Sequence, residues 1–326
     1  MPDGSTRPEP DPSKAWDGPT YYGRPQLKPA PFNNYVVGGY IFLAGLSGGS
    51  MIVSTIAEQA GHHDGVGRRG RFLSLLAPTI GSAMLVWDLH TPQRAMNMMR
   101  VAKKTSPMSI GTWILLSFTA FAMPAAAAEI AANYVKPSGL LRRLARIAAV
   151  PAALFGTGLG TYTAALLAAT SVPLWAAAPR SLASRFASST VATGASALSL
   201  GEGNPRTRRA LDIVTLAALG VELMAAHQSH KTYERTGVAG ALDSPAGRVE
   251  YWGGHVAGTM VPAGLKAAAV LLGPKRGRWL SRIASVAAMA GSATFRISIM
   301  EAGNISATKP DISFRFSQPE NLPKTK

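Results

Sequence analysis

The chain has no cysteine in its 326 residues. Disulfides, thiolate metal sites and cysteine-ligated clusters of its own are thereby excluded. Charge is scarce as well. Asp, Glu, Lys and Arg make up 15% of the residues, where a soluble protein carries about a quarter. Acids are the scarcer sign, 17 against 33 bases, which leaves a formal net charge of +16. The bases stand in short clusters between long apolar runs. That is the distribution of membrane loops and not of a nucleic-acid surface.

What is abundant is apolar sequence, 47% of the chain. It falls into eight runs: 34–60, 72–89, 109–134, 147–172, 186–201, 210–229, 252–273 and 283–302. A spanning helix needs about 20 mostly apolar residues, with a range of about 17–25. The expected fold is therefore an all-α integral membrane protein with eight transmembrane helices. Run 186–201 is the weakest, being short and polar (SSTVATGAS). The mean hydropathy of +0.12 is low for such a protein. Hydrophilic tails account for part of this. The rest comes from helices built of Ala, Gly, Ser and Thr, which pack closely in lipid. Gly38, Gly39, Gly45, Gly48, Gly49, Gly156, Gly158 and Gly160 suit tight helix contacts.

Residues 1–33 read as an extended polar, proline-rich arm without an apolar stretch of signal-peptide type. Residues 303–326 read as a polar tail. Loops 61–71, 135–146, 202–209 and 274–282 hold 14 Lys and Arg in 40 residues, against 17 in the 111 residues of the opposite side. The density favours the first set as cytoplasmic, because the positive-inside bias is counted over short loops. Both termini are then expected on the outer face.

The stretch from Trp87 to Trp113 breaks the apolar pattern with Asp88, His90, Pro92 and four bases. Ala95, Met98, Met99 and Ala102 share one face of a helix expected over 93–104, with Arg94, Arg100, Lys103 and Lys104 mostly on the other. Such a helix lies flat at the membrane boundary, where its bases meet lipid headgroups or a partner subunit.

This stretch resembles the NrfD/PsrC family, the membrane subunits of polysulfide reductase and related complexes. The resemblance rests on Asp88-Leu89, a Pro92-x-Arg94 turn, a basic connector and then SPMSxGxW from Ser106 to Trp113. YIFLAGLSGGSMI in the first run is similar to the family's glycine-rich opening helix. TYTAALLAATSVPLW, Thr161 to Trp175, is similar to its fourth-helix signature. Glu222 and Arg296 fit as well. The resemblance spans 34–302 and implies two four-helix bundles and a quinone or quinol bound near the outer face, with no haem or cluster of the chain's own. It implies a ferredoxin-like iron–sulfur partner and a catalytic subunit, in some relatives a molybdopterin enzyme, in a bacterial cytoplasmic membrane. Catalysis then belongs to the whole complex. Some relatives are proposed to conduct protons.

A quinone site needs donors at the carbonyl oxygens and a proton source or sink. Tyr40, Asp88, His90 and Tyr162 all fall in the outer half. Tyr162 matches a quinone-bonding tyrosine of the family. Tyr40 stands where the family can carry a histidine, and a phenol is not a proton acceptor near neutral pH. Acids within the membrane are functional candidates by default. Asp88, Glu129, Asp212 and Glu222 sketch a proton route, and Glu222 is an expected ion-pair partner of Arg296. Lys266 is the remaining intramembrane charge. The histidines, His62, His63, His90, His227, His230 and His255, fall at expected helix ends or in loops, so a bis-histidine haem is not expected, although His227 and His255 can meet at the outer face. Two other classes stay open. One is a proton-translocating or transporter-like module, with Pro124, Pro151 and Pro262 as candidate helix breaks. The other is a pure anchor. Only the quinone reading needs Tyr40, Asp88 and Tyr162 to converge.

Overall fold

The computed structural model describes residues 25–61, 65–89, 91–135 and 137–323, and among them there is no strand. Seven helices are long and apolar enough to cross a membrane, and the chain is a multi-pass membrane protein. The first is α1, Asn34–Gln59. The second runs from Val66 to Asp88 in pieces: α2 (Val66–Leu73), a π-helical turn (Ala77–Gly81) and α3 (Ser82–Asp88). A short α4 (Ala95–Arg100) precedes α5 (Pro107–Ile130) and α6 (Gly139–Ala168). The buried turn α7 (Pro173–Ala176) leads to α8 (Pro179–Leu200) and α9 (Pro205–Arg235). The next span joins α10 (Pro245–Val249), a π segment (Glu250–Met260) and α11 (Val261–Arg276). Then come α12 (Arg278–Thr308) and α13 (Pro310–Ser317).

The polarity is that of a membrane protein. Leu154, Leu271, Ile283 and Val286 face outward, while Ser47, Ser50, Thr190, Thr193 and Ser196 are buried. Helix α8 shows why one run looked weak. It packs against α1, α6, α9 and α12, so its serines and threonines face neighbouring helices. A hydroxyl there satisfies itself on its own backbone, as Thr193 does on Ser189 O at 2.6 Å. Close approach is set by glycines: a Cβ at Gly48 would stand 2.5 Å from Gly156 O, and one at Gly194 2.2 Å from the Gly49 carbonyl carbon. Helix α1 therefore touches both α6 and α8.

Several boundaries differ from expectation. Pro124 and Pro151 lie inside unbroken α5 and α6. The interruptions fall instead after Leu73 and at Glu250–Met260, the latter just before Pro262 in the first turn of α11. Backbone groups freed inside a membrane need a substitute partner. At the first break Ser47 supplies it, accepting from Ala77 N at 2.8 Å and donating to Leu73 O at 3.2 Å. The interfacial helix stops at Arg100, because 101–103 are drawn onto α5: Lys103 N donates to Ser109 Oγ, which donates to Val101 O. The C-terminal tail is not all extended. Helix α12 runs on to Thr308, and α13 buries Ile312 and Phe316, one turn apart. Of the N-terminal arm, 1–24 lie outside the described residues, while Leu27 and Ala30 pack on the core.

Candidate functional site

Tyr40 sits about two turns into α1, and Tyr162 about two turns before the end of α6. The helices run antiparallel, so both rings reach the end of the array that carries the termini. Their hydroxyls are 2.7 Å apart. Tyr40 is 2% exposed and Tyr162 half-buried. Two glycines give the rings room. A Cβ on Gly81 would stand 3.1 Å from the Tyr40 ring, and one on Gly111 would stand 2.2 Å from Tyr162 Cε2.

This gives SPMSxGxW a physical meaning. Ser106 caps α5 by accepting from Ser109 N. Ser109 and the Trp113 indole, which donates to Val101 O at 3.3 Å, clamp the basic connector. Gly111 admits the tyrosine. The Pro173-Leu174-Trp175 exit is an anchor: Trp175 is buried and donates to Ile299 O at 2.8 Å, while Leu174 N donates to Ser306 Oγ.

Asp88 does not join the tyrosines. It ends α3 and accepts from Asn33 N at 3.4 Å, and Asn33 in turn caps α1. Asp88 lies seven helical positions beyond Gly81, about 10 Å at 1.5 Å per residue. The expected three-residue convergence is thus a pair plus an acid one layer nearer the end. His62, His63 and His90, and the side chain of Arg94, lie outside the described residues. Arg100, Lys103 and Lys104 are exposed at the same end.

The buried acids form separate groups. At the opposite end Arg71 grips Glu58 with both terminal nitrogens, at 2.7 and 2.9 Å, and donates from Nε to Glu129 at 3.0 Å. Asn133 donates to the other Glu129 oxygen at 2.7 Å. Asp212 binds Lys266, Ser199 and Ser281, and Lys266 also donates to Ser285. Asp212 and Glu222 are ten residues apart on α9, about 15 Å. The expected Glu222–Arg296 ion pair is not formed. Glu222 accepts from Thr259 at 3.5 Å, and Arg296 donates to Ser189, Ser292 and Thr190. The hydroxyls of α8 reach the guanidinium first, and its Cζ lies 5.4 Å from the Phe186 ring centroid.

The family profile described as polysulphide reductase, NrfD, matches residues 25–307. The chain belongs to the NrfD family. No individual curated protein matches it in sequence. The matched stretch of this NrfD chain contains the tyrosine pair and all the buried charges above. Part of that set is not among the residues expected from the sequence: Arg71 falls in the expected loop 61–71, Arg185 and Glu250 fall between expected apolar runs, and Glu58 lies near the end of the first run. Arg185 and Glu250 form a buried ion pair at 2.6 Å. An acid closing one apolar run and a base opening the next, as with Glu58 and Arg71, was the available signal. Arg185 and Glu250 also line a cavity of about 590 Å³ at the terminus-bearing end, with His227, His230, Tyr233 and His255. His227 and His255 thus share one cavity, but His255 lies well inside its span and not at a helix end.

Proposed function

We propose that this chain is the quinone- or quinol-binding membrane subunit of a respiratory oxidoreductase complex. It exchanges electrons between the quinone pool and a ferredoxin-like iron–sulfur partner, which serves a catalytic subunit that can be a molybdopterin enzyme. The observation that carries the reading is the Tyr40–Tyr162 hydroxyl pair, held between glycines at one end of the array. One proton is used within the pair, so one remains to be donated outward. Tyr162, the half-buried member, is placed to give it to a carbonyl oxygen. A bound quinone supplies two-electron, two-proton chemistry. The chain's own residues orient its ring and exclude water on the Tyr40 side. Asp88, about two turns nearer the surface, is the proton acceptor or donor toward solvent.

The exposed Arg100, Lys103 and Lys104 support a partner seated at this same end. In this reading α8 also crosses the membrane and brings the spans to eight, and α1 to α6 and α8 to α12 supply two four-helix bundles. The basic short loops support termini on the outer face of a bacterial cytoplasmic membrane. The test is the quinone content of the purified complex. Wild type should retain quinone, and Tyr162→Phe should lose most of it with the complex still assembled. Equal quinone in both, or none in wild type, overturns the reading in favour of a pure anchor.

One observation favours a second reading, proton translocation. The interior between α8, α9, α12 and the span Pro245–Arg276 carries three separate polar groups, Glu222 with Thr259, Ser189 and Thr193 with Ser292, and Asp212 with Lys266. Glu129 belongs to a different group, so a single route through all four expected acids has no support. Proton uptake by reconstituted vesicles, with Glu222→Gln and Glu129→Gln compared, separates the two: only the first should slow it.

A further inference from the structure

At the end opposite the tyrosine pair lies a basin of about 480 Å³, bounded by the start of α2, the end of α5 and the start of α6. Its floor is the Glu58–Arg71–Glu129 network. Every carboxylate oxygen there already has a donor, three contacts coming from Arg71 and one from Asn133. The floor therefore makes no demand on the rim. The rim carries Arg68, Arg142 and Arg146, all exposed. Among the described residues none of the three forms an ion pair. Arg142 and Arg146 stand one turn apart on α6, where like charges repel. Four arginines against two glutamates leave the basin with a surplus of two positive charges.

Guanidinium groups match phosphate oxygens in pairs, with two parallel N–H donors. Gly65 and Gly67 also line the basin. Gly65, in the left-handed region at φ +84, is the N-cap of α2 and offers no side chain to the helix's first amides. A helix start of this kind favours an anion. The position decides what carries the phosphate: the basin lies where the spans Val66–Asp88 and Gly139–Ala168 begin and the span Pro107–Val135 ends, at the level of lipid headgroups.

We propose that this basin holds the phosphate of an anionic phospholipid headgroup, gripped by Arg68, Arg142 and Arg146. The site is independent of the quinone reading and stands at the other end of the molecule. Basic pockets at a membrane boundary gain affinity with each arginine near the headgroup.

The test is native mass spectrometry of the full-length chain in detergent, offered phosphatidylglycerol, phosphatidylethanolamine or inorganic phosphate. Arg142→Gln/Arg146→Gln is compared with Arg143→Gln, which removes a neighbouring charge that does not line the basin. Wild type should retain one phosphatidylglycerol beyond the exchangeable shell, and little phosphatidylethanolamine. The double variant should weaken that retention by about tenfold or more, and Arg143→Gln by less than about twofold. Equal losses in both variants, or equal retention of phosphatidylethanolamine, overturn the proposal. Binding of inorganic phosphate without the lipid overturns the lipid as its source and makes free phosphate the ligand. Because the rim side chains are exposed and form no ion pair among the described residues, the variants keep their fold, and unchanged thermal unfolding verifies this.

Discussion

Tyr40 and Tyr162 stand 122 positions apart in sequence and share one hydroxyl–hydroxyl hydrogen bond of 2.7 Å. The bond makes them one donor rather than two. In the proposed quinone site Tyr40 fixes the orientation and Tyr162 presents the outward proton. Tyr162→Phe should therefore lower quinol kcat/KM by about 10- to 100-fold, the worth of one hydrogen bond of roughly 1.5–3 kcal/mol. Tyr40→Phe should cost less, and the double variant no more than Tyr162→Phe alone, because contacting residues are not additive. Steady-state quinol oxidation by the assembled complex measures this. Strictly additive losses would sink the idea of a shared donor.

Gly111 sets the position of the tyrosine. An alanine there would bring its Cβ within 2.2 Å of the ring, and α5 or Tyr162 must shift. Overpacking of this kind costs about 1–3 kcal/mol. Gly111→Ala is expected to lower thermal stability in detergent and to reduce quinol turnover. Gly264→Ala is the control: it has open space around its Cβ, and a helix-interior glycine replaced by alanine should gain about 0.5–1 kcal/mol. Retained turnover in Gly111→Ala would show that the ring position is not critical.

Much of this fold was legible because lipid imposes a simple demand. Long apolar runs at 34–60 and 109–134 correspond to α1 and to α5 with its π extension, within a few residues. The legible part thinned where a helix has no lipid-facing side. Helix α8 is surrounded by protein, so its sequence lost the apolar excess, and its start at Pro179 hid Arg185 in an apparent loop. The π segments were not legible either, since their register is settled by partners such as Ser47, 30 positions away. At the candidate site, motif resemblance pointed to Tyr162. Tyr40 was expected to converge with it, but their direct hydroxyl–hydroxyl bond was not visible, because nothing local in α1 says which ring Tyr40 will meet. Of the ion groups, Arg185–Glu250 and Asp212–Lys266 were invisible for the same reason, closing over 65 and 54 positions, whereas Glu58–Arg71 closes over 13 and left a local signal.

Asp212 and Lys266 are both buried and hold each other, with Ser199, Ser281 and Ser285 completing the shell. Breaking such a pair leaves an uncompensated charge and costs about 3–5 kcal/mol, whereas replacing both partners by apolar groups is close to neutral. Asp212→Leu alone should sharply lower the thermal midpoint, and Asp212→Leu/Lys266→Met should restore most of it. The double variant then tests the proton reading on a folded protein. Vesicles that still take up protons with it would remove Asp212 from any route.

Arg296 presents the opposite case, a guanidinium with no ion pair among the described residues. It is fully buried on α12, and its partners are the hydroxyls of Ser189, Ser292 and Thr190 and the Ser292 carbonyl. A Cβ added to Gly45 of α1 would stand 2.7 Å from its Nη2, so the glycine-rich face of α1 is shaped around it. Hydroxyls offset only part of the desolvation of a cation, and apolar replacement of buried charge is often neutral or stabilising by about 1–4 kcal/mol. Arg296→Met should therefore unfold at an equal or higher temperature while losing quinol- or proton-coupled activity. Such a trade would identify Arg296 as a charge kept for function, since a sequence shaped by stability alone would have discarded it. A large fall in the unfolding temperature would instead show that its hydroxyl cage is what joins α8 to α12, and would assign Arg296 to packing.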